Sequence, residues 1–457
     1  MAYKKLFKLT SIVASLLLVL SLAIPYLSKS QLKNWILDNG AEQVDIKSLY
    51  LNIWTGHLRL EGLVSRAADR PELKIGKLET ELSYRALWSK RLLLNGLQFH
   101  DSEIAAKQQG EHWFVGPIRI PIPDNSQAAA KTEDATATWH WGLTDLELST
   151  LRLSVQLHQQ PNHRLEIDNG SLRLLHNWLP DQNSALSLKG RLNDSPFNLQ
   201  SLGTPLAAKA RGELQLQLQD LALAPLAKPW LAELKGSLST DLTVALAADN
   251  GTFRIGPKGD LQLKAFALSQ QDLQVKSGTI NWNGSSELQL SPAGLEGVTV
   301  DGQLALKAVN LQQPPLRLMN DELGWHGRQQ LSFKDGKPAF IASKGKLTIG
   351  PLQLSQQQLE LQNQGLSWQG DSRIEFQQGN PSSVINSGTL QLQQSHLQQP
   401  NQQLTISSID WSGNNQLTLA EAAVTTLSNE GELTIDQLQL KQPDILLTEQ
   451  QLHWNGT

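Results

Sequence analysis

Cysteine is absent from all 457 residues. That removes disulfides, thiolate nucleophiles and Cys-based zinc or iron–sulfur sites together, and it is compatible with an oxidising compartment. Charge is also sparse, with 18% Asp, Glu, Lys and Arg and a formal net charge of -4. Binding to a nucleic-acid backbone rests on clustered Lys and Arg, so a nucleic-acid partner is set aside. Catalytic signatures are missing too: there is no HExxH, GxSxG, P-loop or dinucleotide fingerprint. His158 and His163, beside Pro161, are the closest histidine pair in the repeat-containing region, and no carboxylate stands at metal-site spacing from them. The expectation is no enzyme, no catalytic residues, no metal and no cofactor.

What the chain does hold begins with an apolar run. After Lys4, Lys5 and Lys8, residues Leu9 to Leu27 are uncharged and rich in Leu, Ile, Val and Ala, long enough to cross a hydrocarbon core as a helix. The basic residues before it place the N-terminus in the cytoplasm and export the rest. A cleaved signal, with Ser21-Leu22-Ala23 as the small-x-small site, is the alternative. Leu32, Trp35 and Ile36 then recur at helical spacing up to Asn39-Gly40, predicting a short amphipathic helix.

Strand patterning takes over from there. Val44 to Trp54, His57 to Val64, Glu72 to Leu82 and Arg91 to Phe99 alternate apolar and polar residues, and Trp113 to Ile122 reads as one further extended strand. Residues Asp124 to Thr138 lack apolar periodicity and predict a flexible linker or loop. Patterning resumes at Trp139, and its clearest stretch is Leu214-Gln215-Leu216-Gln217-Leu218-Gln219, which puts every Leu on one face and every Gln on the other. No segment after residue 40 sustains a helical period for long enough to form a crossover helix, although Ala222 to Leu234 can hold a short one. Without crossover helices the sheet is expected to be antiparallel.

The second half repeats without a gap. Trp282, Trp325, Trp368, Trp411 and Trp454 stand 43 residues apart, each followed two residues later by Gly. Gly259, Gly302, Gly345, Gly388 and Gly431 keep the same step, as do Leu268, Leu311, Leu354, Leu397 and Leu440. Apolar pairs recur in phase: Leu261 with Leu263, Leu304 with Leu306, Leu347 with Ile349, Leu390 with Leu392, and Leu433 with Ile435. The motif predicts three or four strands per unit, advancing the sheet by roughly 15 to 20 Å per repeat. The repeated glycines are read as turn or bulge positions. The Trp series is read first as periodic core filler and second as an acyl-chain contact. No atypical capping unit follows the fifth Trp-x-Gly, which predicts a chain truncated at its C-terminus or an edge covered by a partner.

Three architectures fit such a repeat: a β-propeller, a packed β-solenoid or sandwich, and an open, twisted, taco-like groove with apolar residues inside. The run Leu49 to Leu63 (LYLNIWTGHLRLEGL), with Pro71 to Leu78 (PELKIGKL) and Leu87 to Leu97 (LWSKRLLLNGL), resembles the opening of AsmA-family proteins, by pattern over residues 1 to about 120 and by architecture beyond. With its TamB-like relatives, that resemblance implies a Gram-negative inner-membrane protein whose repeating β-groove conducts phospholipid toward the outer membrane. The expected organisation is a cytoplasmic stub and transmembrane helix (1–29), a juxtamembrane helix and N-terminal β-region (30–123), the 124–138 linker, degenerate β-repeats (139–258) and regular 43-residue repeats (259–457). The fold class is mainly β, an elongated antiparallel repeating groove behind an N-terminal transmembrane helix. The candidate lipid contacts are the ten paired Leu and Ile residues and five Trp residues named above. Expected partners are phospholipid or another acyl-chain lipid, the inner membrane, and outer-membrane or envelope proteins. The alternative function is an assembly-assisting envelope protein that binds polypeptide.

Overall fold

The computed structural model describes residues 28–110, 112–120, 139–157, 162–228, 231, 233–420 and 423–456. The expected membrane span and the 124–138 linker lie outside these residues, and no helix among the described residues is long and apolar enough to cross a membrane. Among the described residues the chain is mainly β, with 23 strands in one largely antiparallel sheet. It forms two compact units, Met1–Gly212 and Glu213–Thr457.

The first unit opens with helix α1 (28–38), which ends as the sequence predicts: the Gly40 amide donates to the Leu37 carbonyl at 3.1 Å, with Gly40 at φ +117°. Ile36 faces inward and is 2% exposed, while Trp35 lies on the outer side. Below α1 run β1 (Gln43–Asn52), β2 (His57–Arg66) and β3 (Leu73–Leu82), paired in sequence order. Ile36, Val44, Ile46, Leu60, Leu63 and Leu73 form the core, with Leu32, Ile75, Ile104 and Ile118 packed around it. Helix α2 (Tyr84–Leu87) leads into the 19-residue β4 (Arg91–Gln109).

Two expectations fail in this unit. Trp113 to Ile122 is not one strand: β5 (His112–Val115) and β6 (Ile118–Ile120) pair as a hairpin. Gly116 takes φ +56° and Pro117 is fully buried behind it, so the Gly-Pro dipeptide turns the chain where apolar patterning alone suggests continuation. The sheet is also not antiparallel throughout. After β7 (His140–Gln156), β8 (Asn162–His176), β9 (Ser184–Leu192) and β10 (Ser195–Gly203), every remaining pair is antiparallel, yet β4 and β7 pair in parallel from Arg91 opposite His140 to Lys107 opposite Gln156. One edge of β4 is already occupied by β3 and β5; β7 takes the other. Alternation records which face a residue occupies and carries no information on strand direction.

The second unit begins on β11 (Arg211–Ala222), where Leu214, Leu216 and Leu218 point inward and the glutamines outward. At Asp220, φ +47°, the phase slips by one, so Leu221 is the next buried residue. Helix α3 (Leu223–Ala227) falls inside the segment expected to hold one. Then come β12 (Glu233–Asp249), β13 (Thr252–Gln270), β14 (Leu273–Ser291), β15 (Gly294–Gln313), β16 (Leu316–Lys334), β17 (Lys337–Ile349), β18 (Leu352–Gln356), β19 (Leu359–Gln377), β20 (Asn380–Gln399), β21 (Gln402–Ala420), β22 (Ala423–Gln442) and β23 (Ile445–Gly456).

A repeat unit is therefore one hairpin of two long strands, not three or four short ones. At ~4.8 Å between strands, each repeat advances the sheet by about 10 Å. The error lies with the turns, which are two-residue links such as Gln271-Asp272, Pro314-Pro315 and Gln357-Gln358. These residues vary from repeat to repeat, whereas the invariant glycines that look like punctuation sit mid-strand. Pairing passes without a break from β12 to β23, with β17 and β18 sharing one position, so no separate propeller blades form.

A kink recurs at the same step. Ala265, Ala308, Gln394 and Gln437 all have φ between +43° and +53°, and Pro351 breaks β17 from β18 at the fifth equivalent place. Buried polar side chains tie the kinks down. Ser277 Oγ donates to the Lys307 carbonyl at 2.9 Å, Asn320 Nδ2 to the Gly350 and Pro351 carbonyls at 3.2 Å, and Asn363 Nδ2 to the Gln393 carbonyl at 2.9 Å. The phase slip explains why Leu268, five residues after Leu263, returns to the same half-buried side. Substituting Asn363 by Ala leaves that carbonyl without its partner and is expected to cost about 1–3 kcal/mol. Hydrogen exchange should accelerate in β19 and β20, while alanine at the exposed Gln369 should leave it unchanged.

Candidate functional site

Register gathers the repeat residues into rows that cross the strands. Leu261, Trp282, Leu304, Trp325, Leu347, Trp368, Leu390, Trp411, Leu433 and Trp454 are successive cross-strand partners and form one row. Two residues after each Leu and two before each Trp, Leu263, Ile280, Leu306, Leu323, Ile349, Leu366, Leu392, Ile409, Ile435 and Leu452 form a second. All fifteen residues singled out from the sequence thus share one face. Their partners on the Trp-bearing strands, Ile280, Leu323, Leu366, Ile409 and Leu452, complete it; their signal, an apolar residue two before each Trp, is present in the repeat.

That face has almost no core of its own. Among the described residues of the second unit, Leu218, Leu221 and Ile406 are the only buried hydrophobic side chains. The two rows are half-buried throughout, except at β23, where Leu452 and Trp454 are exposed. A packed solenoid would place such residues below a few per cent exposure.

The repeated glycines are not turns. Gly259, Gly284, Gly302, Gly327, Gly345, Gly370, Gly388, Gly413, Gly431 and Gly456 are cross-strand partners in unbroken succession, a glycine row beside the Trp–Leu row. A Cβ built on Gly370 would meet the Ser387 carbonyl oxygen at 2.1 Å and the Gly388 Cα at 2.7 Å; Gly284 against Gly302, Gly327 against Gly345, and Gly413 against Gly431 repeat this contact. Neighbouring backbones approach here more closely than any side chain permits. Since Gly alternates in phase with the Trp–Leu row, the pinch falls on the same face, and the glycine row is the line along which the sheet can crease. Tryptophan rings lean over the crease: Trp325 reaches to 3.0 Å of the Gly345 Cβ direction, and Trp325 and Trp368 stack at 6.4 Å with 14° between planes.

The opposite face is polar and satisfies itself. A depression of about 640 Å³ is lined mainly by residues of this face, among them Gln217, Asp241, Asp260, Gln262, Asn281 and Asn283, with Leu261 and Trp282 of the apolar row also at its wall. The polar side chains pair with one another, Gln217 with Asp241 at 3.1 Å, Gln262 with Asn281 at 2.9 Å and Asn283 with Asp260 at 2.5 Å. No group of three or more metal-ligating side chains forms among the described residues; His158 lies outside them.

Resolved shifts in ionisation fall on β2, β3 and the Glu72 turn before β3. Lys77, then His57 at 2.8 Å, hold the Glu79 carboxyl below its ordinary value; Lys74, then Arg66, do so for Glu72, and Arg59, then Ser48, for Glu61. Burial acts against each of these, and at Glu72 it outweighs the Arg66 bond though not the Lys74 one. Lys74 is raised, chiefly by its bond to Glu72. A lowered carboxylate adds stability above its unfolded value of 4.5 and loses it as pH falls through the folded value; raised Lys74 adds stability below 10.5 and loses it as pH climbs through its own. The first unit should therefore lose thermal stability as pH drops below about 4.5. The loss should be small, because these pairs are solvent-accessible, and Glu72→Gln with Glu79→Gln or molar salt should flatten it in a calorimetric pH series.

No protein-family model matches this chain, and no curated protein sequence matches it.

Proposed function

We propose that the creased apolar face is an open groove for acyl chains, in a protein anchored to the bacterial inner membrane by residues 9–27, with the N-terminus cytoplasmic and the bulk periplasmic. The groove binds phospholipid and passes it toward the outer membrane. One observation supports this reading: two unbroken apolar rows cross ten strands and are half-buried or, at β23, exposed, while among the described residues of this unit only Leu218, Leu221 and Ile406 are buried hydrophobic side chains.

Physics favours such a trough for lipid. Each methylene exposed to water costs ~0.8 kcal/mol, so a sixteen-carbon chain faces a barrier on the order of 12 kcal/mol unaided. A leaflet-length acyl chain, about 15 Å, spans roughly three strands of the array. Repetition makes successive positions nearly equal in energy, which permits sliding and leaves direction to a gradient or a partner. The headgroup rides at the solvent-facing opening.

The test is photo-crosslinking from Leu261, Leu304, Leu347 and Leu390 in the membrane-bound chain, with mass spectrometry of co-purifying lipid. Phospholipid adducts at all four positions are the expected result. Adducts to polypeptide alone would replace this reading with the assembly-assisting one.

A further inference from the structure

The two ends of the first unit's sheet differ sharply. Register places the connections 53–56, 83–90, 177–183 and 204–210, with the start of β7, at one end: Asn52 pairs with His57, Leu82 with Leu94, Arg91 with His140, Gly142 with His176, and Ser184 with Gly203. Exposed there are Trp54, Trp88, Trp139, Trp141, Leu179 and Leu206, with Trp88 91% exposed and Trp139 60%. Among the described residues, the connections at the other end, 67–72, 110, 116–117 and 193–194, carry no exposed large hydrophobic residue. Charge divides the same way. Arg85, Lys90 and Lys209 stand against Asp181 in the first set, while Asp69, Glu72 and Asp194 stand against Arg70 in the second.

Helix α1 points to the same end. Lys29 Nζ donates to the Lys47 carbonyl at 3.3 Å, midway along β1, and the Arg119 amide donates to the Asn39 carbonyl at the far end. The chain thus enters α1 from the tryptophan side, and the residues immediately before it in sequence are the uncharged run Leu9 to Leu27.

We infer that this tryptophan-bearing end is a seat for an anionic phospholipid bilayer. Indole rings favour the boundary between headgroups and acyl chains, and Lys and Arg beside them favour phosphate. A soluble domain gains little by gathering exposed Trp at one end, since Trp54, Trp88 and Trp139 are more than half exposed and belong to no buried core cluster. Seating this end against the bilayer holds the sheet upright on the membrane from which the anchor emerges. The inference rests on the anchoring part of the proposal above and not on the acyl groove.

The absence of native cysteine makes the test clean. Full chains carrying Trp88→Cys, Trp139→Cys or Asp69→Cys, each labelled with an environment-sensitive fluorophore, are reconstituted into vesicles of phosphatidylglycerol and phosphatidylcholine with a nitroxide-lipid quencher. Flotation with the vesicles, and quenching about threefold or more stronger at 88 and 139 than at 69, is the expected result for headgroup-depth seating. Arg85→Glu with Lys90→Glu should weaken quenching at 139 in anionic vesicles and not in phosphatidylcholine alone. Flotation with equal quenching at both ends would overturn the seat while leaving the anchor; failure to float would overturn both, and neither outcome bears on lipid in the groove.

Discussion

Substituting both Leu304 and Leu347 by lysine is expected to remove co-purifying phospholipid and the crosslinks from Leu261 and Leu390, with the β-sheet circular dichroism retained. Both residues stand in the Trp–Leu row, opposite Trp282 and Trp325 and opposite Trp325 and Trp368 respectively. Each is half-buried, so the fold loses only part of the ~1.5–3 kcal/mol that a fully buried Leu provides. Lysine can also lay its methylene stem along the sheet and lift its ammonium to solvent. A sliding acyl chain has no such escape, because it must pass two charges set two strands apart in a continuous path. Bound lipid should fall at least about tenfold, a loss of ~1.4 kcal/mol or more per site. Global unfolding by this pair of substitutions would mean that the rows serve as a packed core, and the groove reading would be wrong.

Valine in place of Gly370 should have the opposite balance, with a large structural effect. Its Cβ would lie 2.1 Å from the Ser387 carbonyl oxygen, a backbone atom that cannot swing aside, and 2.7 Å from the Gly388 Cα. The strands must separate or the crease must open, at an expected cost of about 3 kcal/mol or more. Hydrogen exchange should lose protection in β19 and β20, where Gly370 and Gly388 face each other, and spread along the array if neighbouring hairpins support one another. Gly278→Val is the matched control. The atoms nearest its Cβ, on Ala308 and Lys307, lie at 3.5 Å, and Gly278 does not have positive φ. Equal stability of the two variants would show that the glycine row is not a crease.

These predictions draw on different depths of information. The Leu and Trp positions are legible in the sequence, because a pleated strand has period two and the 43-residue step keeps each face in phase. The glycine row is not. Mid-strand glycine and turn glycine look alike along a single chain, and the distinction appears only when Gly284 is found opposite Gly302. Turn chemistry misleads in the other direction, since Gln357-Gln358 turns the chain as sharply as Asp335-Gly336 does. The capped kinks are similar: Asn320 and Asn363 read as ordinary polar strand residues until their amides are seen on carbonyls about thirty positions later.

What the amino-acid sequence determined by itself is local: strand character, the division of apolar from polar faces, the exact repeat, the end of α1 at Gly40, and the absence of thiol chemistry. Tertiary structure decided which strand lies beside which. It set two strands per repeat, the parallel pairing of β4 with β7, the crease, and the meeting of Trp54, Trp88, Trp139 and Trp141 at one end of the first unit. The physical reason is that side-chain direction alternates along one strand regardless of its neighbours, whereas direction of pairing, closeness of backbones and clustering of distant connections are set by hydrogen bonds between segments far apart in the chain.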